Sequence, residues 1–276
     1  MTLYQAKDFL ETAEGLRFAV VVDGEVQGRI CCQLRYVHRD GLWYKLSTAQ
    51  ASEHLRRYHP DYLYHVEALA ADVHGVRPER VIRHFQPRQA LRQRLAQQAS
   101  DDVVNDLQAL CGLFVSHGLP LSSFGVTGSL LLGTQSAESD IDLVCYQREV
   151  FHQARYWVQA LIAQNTLQAL DDADWLDAYR RRGCDFPFDD YVWHELRKYN
   201  KGMIRGRKFD LSLVTTSPMP TAGHARKLGA KHLQARITDD DFAFDHPARW
   251  CIDSSDIDEV VCFTATYTGQ ARYGEQ

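Results

Sequence analysis

Residues 124–146 read FGVTGSLLLGTQSAESDIDLVCY, and this stretch decides the fold. A short apolar approach ends in Thr127-Gly128-Ser129. Three leucines follow, then a polar loop from Gly133 to Ser139, then Asp140-Ile141-Asp142 running into Leu143-Val144-Cys145-Tyr146. In an extended chain side chains alternate faces, so Asp140 and Asp142 point one way and Ile141 and Leu143 the other. Two like charges held side by side call for a cation between them. Mg²⁺ suits carboxylate oxygens and keeps room for phosphate. A Gly-Ser turn at a helix start offers backbone N–H groups and a hydroxyl to an anion. A phosphate cradle followed by a carboxylate pair is the equipment of phosphoryl or nucleotidyl transfer.

A second stretch, Arg207-Lys208-Phe209-Asp210-Leu211-Ser212-Leu213-Val214, repeats the arrangement of an acid inside an alternating strand. Phe209, Leu211 and Leu213 share one face; Asp210 and Ser212 share the other. Gly128-Ser129, Asp140-x-Asp142 and this third carboxylate together resemble the signature of the polymerase-beta-type nucleotidyltransferase superfamily. The whole chain is similar to a little-characterised group of predicted nucleotidyltransferases within it. That resemblance implies an α+β fold with a nucleotidyltransferase-like mixed sheet and helices. It also implies transfer of a nucleoside monophosphate from an NTP, ATP or another, to an acceptor hydroxyl with loss of pyrophosphate. Two Mg²⁺ or Mn²⁺ ions are expected, held by Asp140, Asp142 and Asp210, with Gly128 and Ser129 on the triphosphate. Residue spacing alone fits a metal-dependent phosphohydrolase equally well. A catalytically silent fold serving as a nucleic-acid or partner-binding scaffold is the third reading.

Between the two motifs the segment from Arg197 to Lys208, RKYNKGMIRGRK, holds six basic residues and no acid. Its position just before Asp210 makes Lys201, Arg205, Arg207 and Lys208 candidate phosphate ligands, and Lys198 stands among them. The acceptor is open among an RNA 3′ end, a protein hydroxyl and a small molecule, and the same cluster leans slightly to RNA. The net charge of −5 gives no global basic field, so any nucleic-acid site is local.

Working outward, the division expected is an N-terminal α+β module (1–86), a nucleotidyltransferase domain with a leading linker helix (87–217), and a β-rich C-terminal module (218–276). In the first module Leu16–Val22, Val26–Val37 and Leu42–Leu46 read as strands joined by Asp23-Gly24 and Asp40-Gly41 turns. Ser47 or Thr48 would cap a helix through Leu55, and Tyr62–Leu69 and Val76–Phe85 complete the unit. Its histidines lack metal-ligand spacing. Arg88 to Gln98 reads as a solvated linker helix in preference to a basic face for RNA or DNA phosphates. Ser100-Asp101-Asp102 caps a helix over 103–117, which Gly118 and Pro120 end. Helical stretches follow at Val150–Leu170 and Trp175–Arg182. Ser217-Pro218-Met219-Pro220 marks a boundary, and the remainder holds β-prone runs at His232–Ile237, Ala248–Ile252 and Val260–Tyr267. Ser255-Asp256-Ile257-Asp258 repeats the letters of the metal motif. Without a Gly-Ser cradle before it, it reads as an acidic strand lead-in.

Apolar content of 45% and charged content of 24% are those of a globular protein. The seven cysteines form no C-x-x-C and read as reduced thiols of a cytoplasmic protein. No signal sequence or membrane-length apolar run is read, so no membrane partner is expected.

Overall fold

The structure, a computed structural model, describes residues 3–66, 71–98, 101–215 and 228–276. It is a mixed α+β protein, as expected, with seven α-helices among the described residues. The chain divides into two compact units. Residues up to 89, with 228–231, form one; residues 90–215 with 232–276 form the other. The expected boundary at 86/87 falls close to this division. The expected third module does not stand apart, because 232–276 belongs with 90–215. The Ser217–Pro220 boundary lies outside the described residues, as does Ser100.

The first unit is a sheet of β1 (Phe9–Thr12), β2 (Leu16–Val20), β3 (Ile30–Arg39), β4 (Leu42–Lys45), β5 (Leu63–Val66), β6 (Ala71–Val76) and β7 (Val81–Phe85), with helix α1 (Thr48–Tyr58). The strand order is β5-β6-β3-β2-β1-β7, β4 pairs with β3, and every pairing is antiparallel. Asp40 and Gly41 both take positive φ (50° and 80°), which a tight β3–β4 hairpin of the primed type requires. Ser47 caps α1 through a reciprocal pair with Gln50: the Gln50 N–H donates to Ser47 Oγ and the Ser47 N–H to Gln50 Oε1. The helix buries Ala51 and Leu55 against Leu10, Leu16, Phe18 and Leu34 of the sheet. Strand β1 is absent from the sequence expectation. The run from Val76 to Phe85 is also not one strand. Pro78 lacks an N–H and opens a 3₁₀ turn over Pro78–Arg80, so Val76 ends β6 and Val81 begins β7.

The second unit begins within α2 (Pro87–Ala96) and continues with α3 (Asp102–Ser116), β8 (Phe124–Val126), α4 (Gly128–Leu132), β9 (Ile141–Cys145), α5 (Arg148–Ala163), α6 (Asp172–Arg182), α7 (Phe188–Leu196), β10 (Lys201–Ile204) and β11 (Arg207–Leu213). Its four strands lie in the order β10-β11-β9-β8. Strands β9 and β11 run parallel, and both outer pairings are antiparallel, so the sheet is mixed. Ile141, Leu143, Phe209, Leu211 and Leu213 pack with Leu107, Leu110 and Phe114 of α3 and Phe151, Ala154 and Val158 of α5. Each such side chain larger than alanine contributes about 1.5–3 kcal/mol on burial. This apolar layer fixes which face of β9 and β11 carries the acids. The α2 helix is less solvated than its composition suggests. Leu91 is buried in this core, and Arg94 donates to the Leu130 carbonyl of α4 at 3.1 Å.

Strands β12 (Arg236–Asp239), β13 (Ala248–Asp253) and β14 (Glu259–Cys262) form a three-stranded antiparallel sheet, the β-rich element expected near the C-terminus. Arginines join it to the helices. Arg148 bonds both oxygens of Asp245 at 2.7 and 2.8 Å, Arg155 stacks on Phe244 at 3.9 Å, and Arg197 pairs with Glu275. These contacts are why a composition boundary near 218 does not make a separate unit.

Candidate functional site

Strand register brings the sequence motifs together. The Thr127 N–H donates to the Asp142 carbonyl at 2.9 Å, which ties the start of α4 to β9. Gly128 has φ +64°, and a Cβ placed on it would overlap the Asp142 carboxylate. Glycine is therefore favoured here by backbone conformation, and a larger residue would also displace the Asp142 carboxylate. Across the parallel pairing Asp210 stands opposite Asp142. Register partners on neighbouring strands share a face and lie about 4.8 Å apart. Their neighbours Ile141, Leu143, Phe209 and Leu211 are buried on the other face, as alternation predicts. Asp140 is exposed and immediately precedes β9, while Ser129 is half-buried in the first turn of α4.

The loop between α4 and β9 is anchored from outside. Gly133 closes α4 in the left-handed conformation. Arg207 donates to the carbonyls of Ala137 at 2.7 Å and Ser139 at 2.9 Å, and its Nε meets Asp106 at 2.7 Å. Arg207, expected on phosphate, is engaged here in holding the loop that delivers Asp140.

The other cations of the basic segment lie on the hairpin of β10 and β11, where Lys201 pairs with Asp210 and Met203 with Lys208. Lys201, Lys208, Asp210 and Asp142 consequently share a face. The Lys201 ammonium is 4.0 Å from Asp210 and also meets Glu195 of α7. Glu195, 1% exposed, holds the buried Lys198 as well, at 2.5 Å. Burial pushes the Glu195 carboxyl up, but the Lys201 and Lys198 charges outweigh it and bring it down to about 2. Burial pushes Lys198 down to about 8, against the pull of Glu195. Lys208 meets Asp174 of α6 at 2.6 Å, and that bond, then the charge of Asp140, holds its pKa above the ordinary value. Arg205, in the hairpin turn, is 57% exposed and 3.8 Å from Asp106. The structure thus gathers Gly128, Asp142, Asp210, Lys201 and Lys208, and turns Arg205 and Arg207 toward α3.

Sequence reading missed Glu195, Asp174 and Asp106, the acids that hold these cations. The signal available was the Glu195-x-x-Lys198 spacing, which across a helix end brings the two side chains together. The acids of α3 and α6 have no comparable mark, because their partners Arg207 and Lys208 are far along the chain.

The donor set fits a hard divalent ion. Asp142 and Asp210 are in register, and Asp140 stands two residues ahead of Asp142. Among the described residues no three His, Cys, Asp or Glu side chains converge as a metal-holding group. Mg²⁺ or Mn²⁺ takes one or two carboxylates and completes its shell with substrate phosphate oxygens and water. The repeated letters at Ser255–Asp258 lie in the connection between β13 and β14, away from any such pairing.

One further polar pair in the first unit has the look of a nucleophile and base. Ser52 Oγ lies 3.2 Å from His74 Nε2. The Leu34 N–H, which can only donate, bonds His74 Nδ1 at 3.1 Å. The neutral ring therefore carries its proton on Nε2 and donates to Ser52, so it cannot accept that hydroxyl's proton. Burial lowers the His74 pKa and keeps the ring neutral.

No disulfide joins the cysteines among the described residues. No helix there is long and apolar enough to cross a membrane. No family model and no solved structure matches the chain. An uncharacterized protein of Methanocaldococcus jannaschii, MJ1086, is 31% identical over 297 residues, covering 98% of this chain and 87% of the archaeal one. With that identity over nearly its whole length, the chain belongs to the family of MJ1086.

Proposed function

We propose that this protein is a metal-dependent nucleotidyltransferase of the cytoplasm, moving a nucleoside monophosphate from an NTP to an acceptor hydroxyl. One observation carries the reading: Gly128 is packed against the Asp142 carboxylate, and Asp210 stands in register beside it. A glycine-led helix start in contact with paired carboxylates joins an anion cradle to a cation site. Asp140 and Asp142, with Asp210 alongside, would hold Mg²⁺ or Mn²⁺. The ion, when bound, neutralises phosphate charge and lowers the pKa of the acceptor hydroxyl.

The protein's own groups position and balance charge. The Gly128 N–H and Ser129 hydroxyl donate to triphosphate oxygens. Lys208, beside Asp140, adds positive charge on the same face. The acceptor oxygen attacks the α-phosphorus, the bond to the bridging oxygen breaks, pyrophosphate leaves, and the Asp210 carboxylate takes the acceptor proton. RNA is the proposed acceptor. Arg205, 57% exposed at the tip of the basic hairpin and 3.8 Å from Asp106, would leave that acid to meet the RNA backbone.

The test is incubation of the protein with each α-radiolabelled NTP, Mg²⁺ or Mn²⁺ and bulk cellular RNA, beside Asp142→Ala. Label should enter RNA with the wild type and not with the variant. Equal labelling by both would overturn the assignment of Asp142. Release of free NMP without labelled RNA would favour a phosphohydrolase.

A further inference from the structure

Asp210 has a built-in cation beside it. Lys201 is its register partner across β10 and β11, and the two charged ends are 4.0 Å apart. The lysine is not free to swing into water. Its side chain is 13% exposed, its ammonium meets Glu195, and it lies 5.9 Å from the centre of the Trp175 ring. A long-stemmed lysine ordinarily carries its charge to solvent. Here two carboxylates and an indole hold it on the face of the acids.

The charges show what it is for. Glu195 already has a buried partner in Lys198 at 2.5 Å, so one lysine would balance it. Lys201 brings a second positive charge to the same carboxylate, and the surplus falls against Asp210. Any dication bound to Asp210 would also lie close to this ammonium and be repelled by it.

We propose that the Lys201 ammonium takes the place of one of the two divalent ions, so that the site binds a single ion per nucleotide. This rests on the nucleotidyltransferase reading above. Lys201 then acts as a fixed charge that orients Asp210, and the one exchangeable ion is held by Asp140 and Asp142. An ammonium cannot activate a hydroxyl as a metal does, which leaves deprotonation of the acceptor to Asp210.

The experiment is equilibrium dialysis of the whole protein against Mn²⁺ and the α,β-methylene analogue of each NTP in turn, counting Mn²⁺ and nucleotide bound. The wild type should hold one Mn²⁺ per nucleotide. Lys201→Ala should hold two, and Lys201→Ala with Asp210→Asn should return to one. Two ions per nucleotide in the wild type, or one in Lys201→Ala, would overturn the lysine's role while leaving nucleotidyl transfer standing. No Mn²⁺-dependent uptake of any analogue by the wild type would overturn both. The wild-type count decides on its own if a variant fails to fold.

Discussion

Gly128 and Asp142 are in contact so close that a methyl group on the first would overlap the carboxylate of the second. The contact joins residues from separate elements, α4 and β9, and it sets where the acid can stand.

Gly128→Ala follows directly. At φ +64° alanine costs about 1–2 kcal/mol from backbone conformation alone. It also pushes the Asp142 carboxylate from its position. The expected result is a melting temperature lower by a few degrees, together with loss of Mn²⁺-dependent nucleotide binding. Calorimetry and nucleotide titration on the same preparation separate the two effects. Unchanged nucleotide binding in a folded variant would remove this contact from the site.

Asp142→Asn keeps the shape of the side chain and removes its charge. Transfer should fall by about 10²–10³-fold, the scale of losing one well-placed charge-stabilising group. Circular dichroism and urea unfolding should match the wild type. Label transfer within a few-fold of wild type would take Asp142 out of the chemistry.

Glu195→Gln leaves two ammonium groups, Lys198 and Lys201, without the carboxylate between them. Removing one partner from a buried ion cluster costs about 3–5 kcal/mol. Urea midpoints should drop accordingly, and Lys198→Met, which removes a charge rather than stranding two, should cost less. A Glu195→Gln midpoint equal to the wild type would show that the cluster does not stabilise the fold.

Acid unfolding tests the same cluster by titration. The Glu195 carboxyl lies at about 2, below its ordinary 4.5. The unfolded chain therefore binds a proton at higher pH than the folded one. The cluster's contribution is complete above pH 4.5 and is lost as pH falls from there toward 2. Stability measured against pH should slope downward through that window in the wild type and less steeply in Glu195→Gln. Equal slopes would mean that Glu195 does not titrate with folding.

Arg207→Met strips the loop before Asp140 of two carbonyl bonds and leaves Asp106 without this partner. The expected cost is about 3 kcal/mol, with faster proteolysis between 133 and 139. Arg207→Lys should recover part of the stability through Asp106 but not the loop's protection. A lysine lacks the guanidinium fork that reaches an acid and two carbonyls together. Protease resistance equal to wild type in Arg207→Met would show that the loop is held by other contacts.

Much of the candidate site was legible because its signals are local. Alternation with period 2 placed Asp142 and Asp210 opposite their apolar neighbours without any knowledge of pairing. The Asp40-Gly41 hairpin and the Ser47 cap were readable for the same reason, since each depends on residues within a turn of one another. Strand β1 was not readable. Its four residues are held by β2 on one side and β7 on the other, and β7 lies some seventy residues away in register with it.

The sequence by itself determined the identity of the acids, the glycine that makes room for one of them, and the α+β character of the chain. These depend on side-chain alternation, backbone freedom and capping over a few residues. Tertiary structure alone decided that Asp210 meets Asp142, that Glu195 holds Lys201 beside Asp210, and that Arg207 serves the loop. It also decided that the C-terminal strands join the second unit through Arg148 and Asp245, 97 residues apart. Charges attract any opposite partner, so spacing along the chain does not choose among them; the packing of helices against the sheet does.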